Sequence, residues 1–111
     1  MVADAARDPS GWTFLTNHFH VLACLSRDAE LRIRDIANLV GITERATVQI
    51  LSQLEASGYL TKTKVGRRNH YTVHGELPLR HPVNNGRQVG DLLRVVEPEI
   101  PPPPAPRSRP H

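Results

Sequence analysis

A single cysteine, Cys24, excludes an internal disulfide and any thiolate cluster within one chain, and it suits a reducing compartment. No zinc ribbon can be built from it. The longest uninterrupted apolar run, Val21 to Leu25, is five residues, far short of a bilayer span, and the first residues carry no basic start followed by an apolar stretch. These absences predict a soluble, cytoplasmic protein with no membrane partner. Equally missing are a glycine-rich phosphate loop, a paired-carboxylate pocket, and a serine or cysteine nucleophile with an evident base, so the sequence predicts no enzyme and no cofactor.

Proline is present but unevenly spread. Seven of the ten prolines fall between Glu97 and His111. Proline removes the amide donor and the helical option, so 97–111 is expected to be an extended, disordered tail. Residues 1–11 are expected to be a flexible N-terminus, leaving 12–96 as one folded unit. A unit that small has a core near the lower limit of sufficiency and gains by burying a second apolar face against another copy.

The formal charge of the 111 residues is +3. Between Tyr59 and Arg80 stand Lys62, Lys64, Arg67, Arg68 and Arg80 against Glu76 alone, so this stretch carries +4 and the remainder −1. A local positive charge points to a polyanionic partner.

Periodicity supplies the elements. From Phe14 to Leu25, Phe14, Leu15, His18, Phe19, Val21, Leu22 and Leu25 share one face of a first helix, with Thr16, His20 and Cys24 opposite. Leu31 and Ile33 alternate like a very short strand. Ile36, Ala37, Leu39 and Val40 give a second helix that stops at Gly41. Thr43 is the N-cap of a third, over 44–57, whose Thr47, Ile50, Leu51 and Leu54 fall at i, i+3, i+4 and i+7. After Gly58, two period-two segments flank Gly66-Arg67-Arg68-Asn69, a hairpin with a basic tip. Val89, Leu92, Leu93 and Val96 mark a last helix ended by Pro98. The expected fold is mainly α with a small β-hairpin, a winged helix-turn-helix in the order α-β-α-α-β-β-α.

Two side-chain groups invite other chemistry. His20 and Cys24 are one helical turn apart and could supply two metal ligands, but two ligands are not a site, so no metal is predicted. His18 sits within the apolar face, where a histidine is expected to be buried and hydrogen-bonded in a core or dimer seam.

The segments Trp12–His18 (WTFLTNH), Arg32–Ala46 (RIRDIANLVGITERA), Leu54–Leu60 (LEASGYL), Val65–Val73 (VGRRNHYTV) and Leu77–Pro82 (LPLRHP) resemble small prokaryotic winged-helix regulators of the MarR and ArsR types. The resemblance implies a sequence-specific regulator of transcription on double-stranded DNA, homodimeric, with the third helix in the major groove and the wing on the backbone. Carried over to this sequence, Thr43, Glu44, Arg45, Val48, Gln49, Ser52 and Gln53 would face the groove, and Lys62, Lys64, Arg67, Arg68, Asn69 and His70 would form the wing contacts. The excess apolar surface assigns Phe14, His18, Val21, Leu25, Val89, Leu92, Leu93 and Val96 to the dimer interface. The alternatives are a winged helix that binds another protein within a larger assembly, and RNA binding through the same surface. The sequence names no small-molecule effector.

Overall fold

The computed structural model describes residues 12–96. Helix α1 (Asn17–Arg27) starts where the Thr16 hydroxyl accepts the Phe19 amide at 3.2 Å, and it ends at Asp28. Helix α2 (Ile33–Val40) begins with the Asp35 carboxylate accepting the Arg32 amide. It stops at Gly41, whose φ of 87° is the left-handed conformation that costs a glycine least. A three-residue turn leads to helix α3 (Glu44–Ala56), capped by Thr43 Oγ1 accepting from the Ala46 amide at 3.0 Å. At its other end the Tyr59 amide reaches back to the Leu54 carbonyl at 2.9 Å around Gly58. Caps of this kind satisfy amides and carbonyls that the helix itself leaves open.

Strands β1 (Leu60–Val65) and β2 (Arg68–Val73) pair antiparallel, Leu60 opposite Val73 and Val65 opposite Arg68. The connection is only Gly66-Arg67, with Gly66 supplying the positive φ required at the first central position of such a turn. After β2 the chain makes a loop with a 3₁₀ turn (Pro82–Asn84) and closes with helix α4 (Val89–Val95). The Gly90 amide donates to the Gly75 carbonyl at 2.7 Å, and a Cβ on either glycine would lie 3.0 Å from the other's backbone. Only glycine lets the start of α4 and the base of the hairpin approach this closely.

One apolar core unites these elements. Leu22 and Leu25 of α1, Ile36 of α2, Ile50, Leu51 and Leu54 of α3, Leu60 and Tyr71 of the hairpin, and Val89 and Leu93 of α4 all belong to it. Full burial of a side chain of this size contributes about 1.5–3 kcal/mol, so the core accounts for the helices staying where their caps place them.

The winged helix-turn-helix is thus the observed architecture, with three local corrections. The short strand at Leu31 and Ile33 does not form among the described residues. Ile33 is instead the first residue of α2, and the outer edge of β2 is met by one bond, Tyr71 N–H to the Ala29 carbonyl at 2.9 Å. Apolar residues straddling an N-cap alternate just as strand residues do. Next, α1 begins at Asn17, because the Thr16 cap sets its start, and Phe14 lies outside it at 90% exposure. Finally, α1 is covered on more than one side: Cys24 is buried beside Val21 and Leu25, while His18 is exposed. The expected N-terminal segment 1–11 and tail 97–111 lie outside the described residues.

Candidate nucleic-acid interface

The four core-facing residues of α3, Thr47, Ile50, Leu51 and Leu54, are buried, and Thr47 Oγ1 is satisfied by the Thr43 carbonyl at 2.9 Å. This fixes the roll of the helix. Glu44, Arg45, Val48, Gln49 and Ser52 therefore face water together, with Val48 46% exposed despite its apolar side chain. A 13-residue helix rising 1.5 Å per residue presents a rod about 20 Å long, with these residues along its water-facing side. Two expected groove residues have other employment. The Thr43 hydroxyl is committed to capping. Gln53, though exposed, accepts through Oε1 from His18 Nε2 at 2.6 Å and lies away from the first turns.

The hairpin carries its cations on both faces. Cross-strand partners share a side, so Lys62 stands with Tyr71 and Lys64 with Asn69, whereas Arg68 and His70 project oppositely. Arg67 occupies the turn itself. Lys62, Lys64 and Arg67 are exposed and form no ion pair among the described residues. Arg68 Nη1 donates to the Glu30 main-chain carbonyl at 3.4 Å, and His70 Nδ1 lies 3.3 Å from the Glu30 carboxylate, which ties one wing face to the α1–α2 turn. Behind the lysines, burial pushes the Tyr71 phenol above its usual range, and the Glu55 carboxylate adds to this against a hydrogen bond from Asn69. The sequence put Arg68 and Asn69 in the turn; in the structure both belong to β2.

A cleft of about 720 Å³ opens at the opposite end of α3. It runs between the start of α1, the last turns of α3 and the segment 78–92, and Phe19, Leu22, Leu54, Tyr59, Val89 and Leu92 give it an apolar lining. His18, Gln53, Ser57, Arg80 and Asn84 supply the polar part of its wall. Arg80 holds a left-handed φ of 77°, and its guanidinium reaches Ser57 Oγ at 3.5 Å. No sequence pattern announces this cleft, since its lining is drawn from residues 14 to 92.

The expected dimer residues divide. Val21, Leu25, Val89 and Leu93 are buried in the protein's own core and are not available to a partner. Phe14, His18 and Val96 are exposed and Leu92 is half-buried. The apolar excess on α1 and α4 is mostly consumed within one chain. The His20–Cys24 pair has no third ligand among the described residues, and burial lowers the proton affinity of the His20 ring while raising the pKa of the Cys24 thiol. No described helix is long and apolar enough to cross a membrane.

Residues 16–65, from the cap of α1 to the end of β1, match the MarR family model. Over these residues the winged helix is similar to that family. No curated protein matches. Among solved structures, the chain is similar to the PcaV transcriptional regulator of Streptomyces coelicolor at 24% identity, covering 53% of this chain and 46% of that one with a TM-score of 0.47. It is also similar to a MarR family protein of Mycobacterium tuberculosis solved with salicylic acid, at 24% identity, 82% and 64% coverage and a TM-score of 0.49. This chain spans less than two thirds of either.

Proposed function

We propose that the protein is a homodimeric, sequence-specific regulator of transcription that binds double-stranded DNA, with α3 in the major groove and the wing on the backbone. The observation carrying this reading is the placement of one water-facing surface, Arg45, Val48 and Gln49, in the same winged helix-turn-helix as three exposed cations that form no ion pair among the described residues. Arg45 is suited to guanine O6 and N7, Gln49 to adenine, and Val48 to a thymine methyl, while Glu44 and Ser52 flank them. Lys62, Lys64 and Arg67 meet phosphates, and Arg68 and His70 join them where the Glu30 contacts yield.

Two copies on a two-fold axis bring their α3 helices to successive major grooves, about 34 Å apart, on an inverted repeat. The test is selection of bound sequences from a random duplex pool at two salt concentrations. An enriched inverted repeat that survives the higher salt supports the reading. Recovery of no common sequence at either salt would overturn it, and preference for matched RNA over duplex DNA would redirect it.

A further inference from the structure

The wing meets the start of α2 across a recess of about 340 Å³, distinct from the apolar cleft at the end of α3. Arg32, Arg67 and Arg68 line it together with Asn69, and Leu31 and Ile33 are its apolar part. Three guanidiniums thus border a space into which the lining residues bring one carboxylate, that of Glu30. The Glu30 amide donates to Asp28 Oδ1 at 3.1 Å, which fixes Glu30 in its turn, and Glu30 Oε2 lies 3.3 Å from His70 Nδ1. Arg68 Nη1 donates only to the Glu30 main-chain carbonyl, at 3.4 Å. Asp35 of α2 is taken up by the Arg32 main-chain amide at 3.2 Å, and the Arg32 and Arg67 guanidiniums form no ion pair among the described residues.

We propose that this recess seats a DNA backbone phosphate, and that the Glu30 carboxylate holds the seat in the free protein. Carboxylate and phosphate make the same demand on arginine and histidine, N–H donors carrying opposite charge. The Glu30 carboxylate serves His70 alone, so a phosphate that displaces it gains the guanidiniums it leaves unserved. Both partners of that contact are about half exposed, 49% for Glu30 and 42% for His70, so water screens it and it exchanges readily. Pockets for small organic ligands are lined mainly by apolar and aromatic groups, whereas guanidiniums dominate this wall, which favours a phosphate as the occupant. The recess also runs on from Arg67 in the wing turn, continuous with the surface assigned to the backbone. Arg32 thereby joins the DNA contacts from outside both the recognition helix and the wing. Glu30 becomes an internal competitor that lowers affinity for every duplex without reading sequence.

The inference rests on the DNA-binding part of the proposed function, and its test is the full chain titrated with an unrelated duplex over a range of salt. Glu30→Gln removes the charge and keeps the shape at an exposed turn position. It is expected to raise affinity about threefold to tenfold at low salt, to steepen the slope of log affinity against log salt by about one, and to leave base preference unchanged. Arg32→Ala is expected to weaken all duplexes alike and to flatten that slope by about one. A parallel titration without DNA uses inorganic pyrophosphate, followed by the side-chain Nε–H resonances of the arginines. Those of Arg32 and Arg68 are expected to move, and at lower pyrophosphate concentration in the Glu30→Gln chain.

The sign of the Glu30→Gln effect is decisive, because a glutamate that merely braces the wing would lose affinity on substitution. Unchanged or weaker duplex binding by Glu30→Gln, parent-like binding by Arg32→Ala, or arginine resonances that ignore pyrophosphate in both chains would each overturn the inference while leaving duplex recognition by α3 standing. Pyrophosphate binding at these arginines by a chain that takes no duplex even at low salt would overturn the DNA reading and the backbone phosphate with it, making a free phosphoryl compound the occupant.

Discussion

Helix α3 differs in chemistry from one end to the other. Its first turns show Arg45, Val48 and Gln49 to water, and the wing that follows it carries lysines and an arginine with no ion pair among the described residues; its last turns place Gln53, Leu54 and Ser57 in the wall of a largely apolar cleft. The core residues Thr47, Ile50, Leu51 and Leu54 run between the two and fix both. One helix thereby presents two chemically different surfaces, polar and suited to hydrogen bonding at the start, apolar at the end. Each surface can be altered without the other, provided the core is left alone.

The largest effect should come from erasing that separation. Ile50→Ala removes a buried side chain common to both ends and is expected to cost about 2–5 kcal/mol in stability, with duplex binding and association lost together in denaturant titrations and binding assays. Changes confined to the first turns should divide them. Arg45→Ala or Gln49→Ala is expected to cost about 1–3 kcal/mol at one base position and to leave the association constant unchanged, measured by competition between operators differing at single positions.

Wing substitutions sharpen the comparison further. Lys62→Ala with Lys64→Ala should weaken all duplexes alike and reduce the slope of log affinity against log salt by about one for each phosphate contact removed. A change in sequence preference in that variant, without a change in salt slope, would contradict the assignment of the wing to the backbone.

The smallest expected effect is on stability as a function of pH. The folded pKa of His20 is lowered by burial, so the neutral ring is favoured; this contribution is present above the unfolded value of about 6.5 and is lost as pH falls through the folded one. Cys24 and Tyr71 are raised, so their contributions are intact below the unfolded values, about 8.5 and 10, and decline as pH rises through the folded ones. Denaturation midpoints should therefore be flat near neutrality and decline on both sides, and Cys24 should resist alkylation until the chain unfolds.

Much of the helix-turn-helix and wing was legible from sequence because its signals are local. Gly41 and Thr43 mark the turn between α2 and α3, the spacing of Thr47 to Leu54 gives the roll of α3, and Gly66 marks the wing tip. The cleft half was not. Whether Val21, Leu25, Val89 and Leu93 are spent internally or offered to a partner depends on which elements meet across 70 residues of chain, and an apolar stripe looks the same in both cases. Cys24 was misplaced for a related reason: a short helix wrapped by neighbours on several sides buries residues that one-sided amphipathicity would leave in water. Gln53 has the spacing of a groove residue, and only its bond to His18, 35 positions earlier, ties it to the other surface.

The Gly75–Gly90 crossing makes the base of the hairpin and the start of α4 behave as a riveted joint. With the Gly90 amide on the Gly75 carbonyl, and a methyl group at either position only 3.0 Å from the other's backbone, a shift of α4 at that point presses directly on the base of the hairpin. The cleft-lining Leu92 and the exposed Val95 thus sit on a helix whose start is joined to the root of the wing.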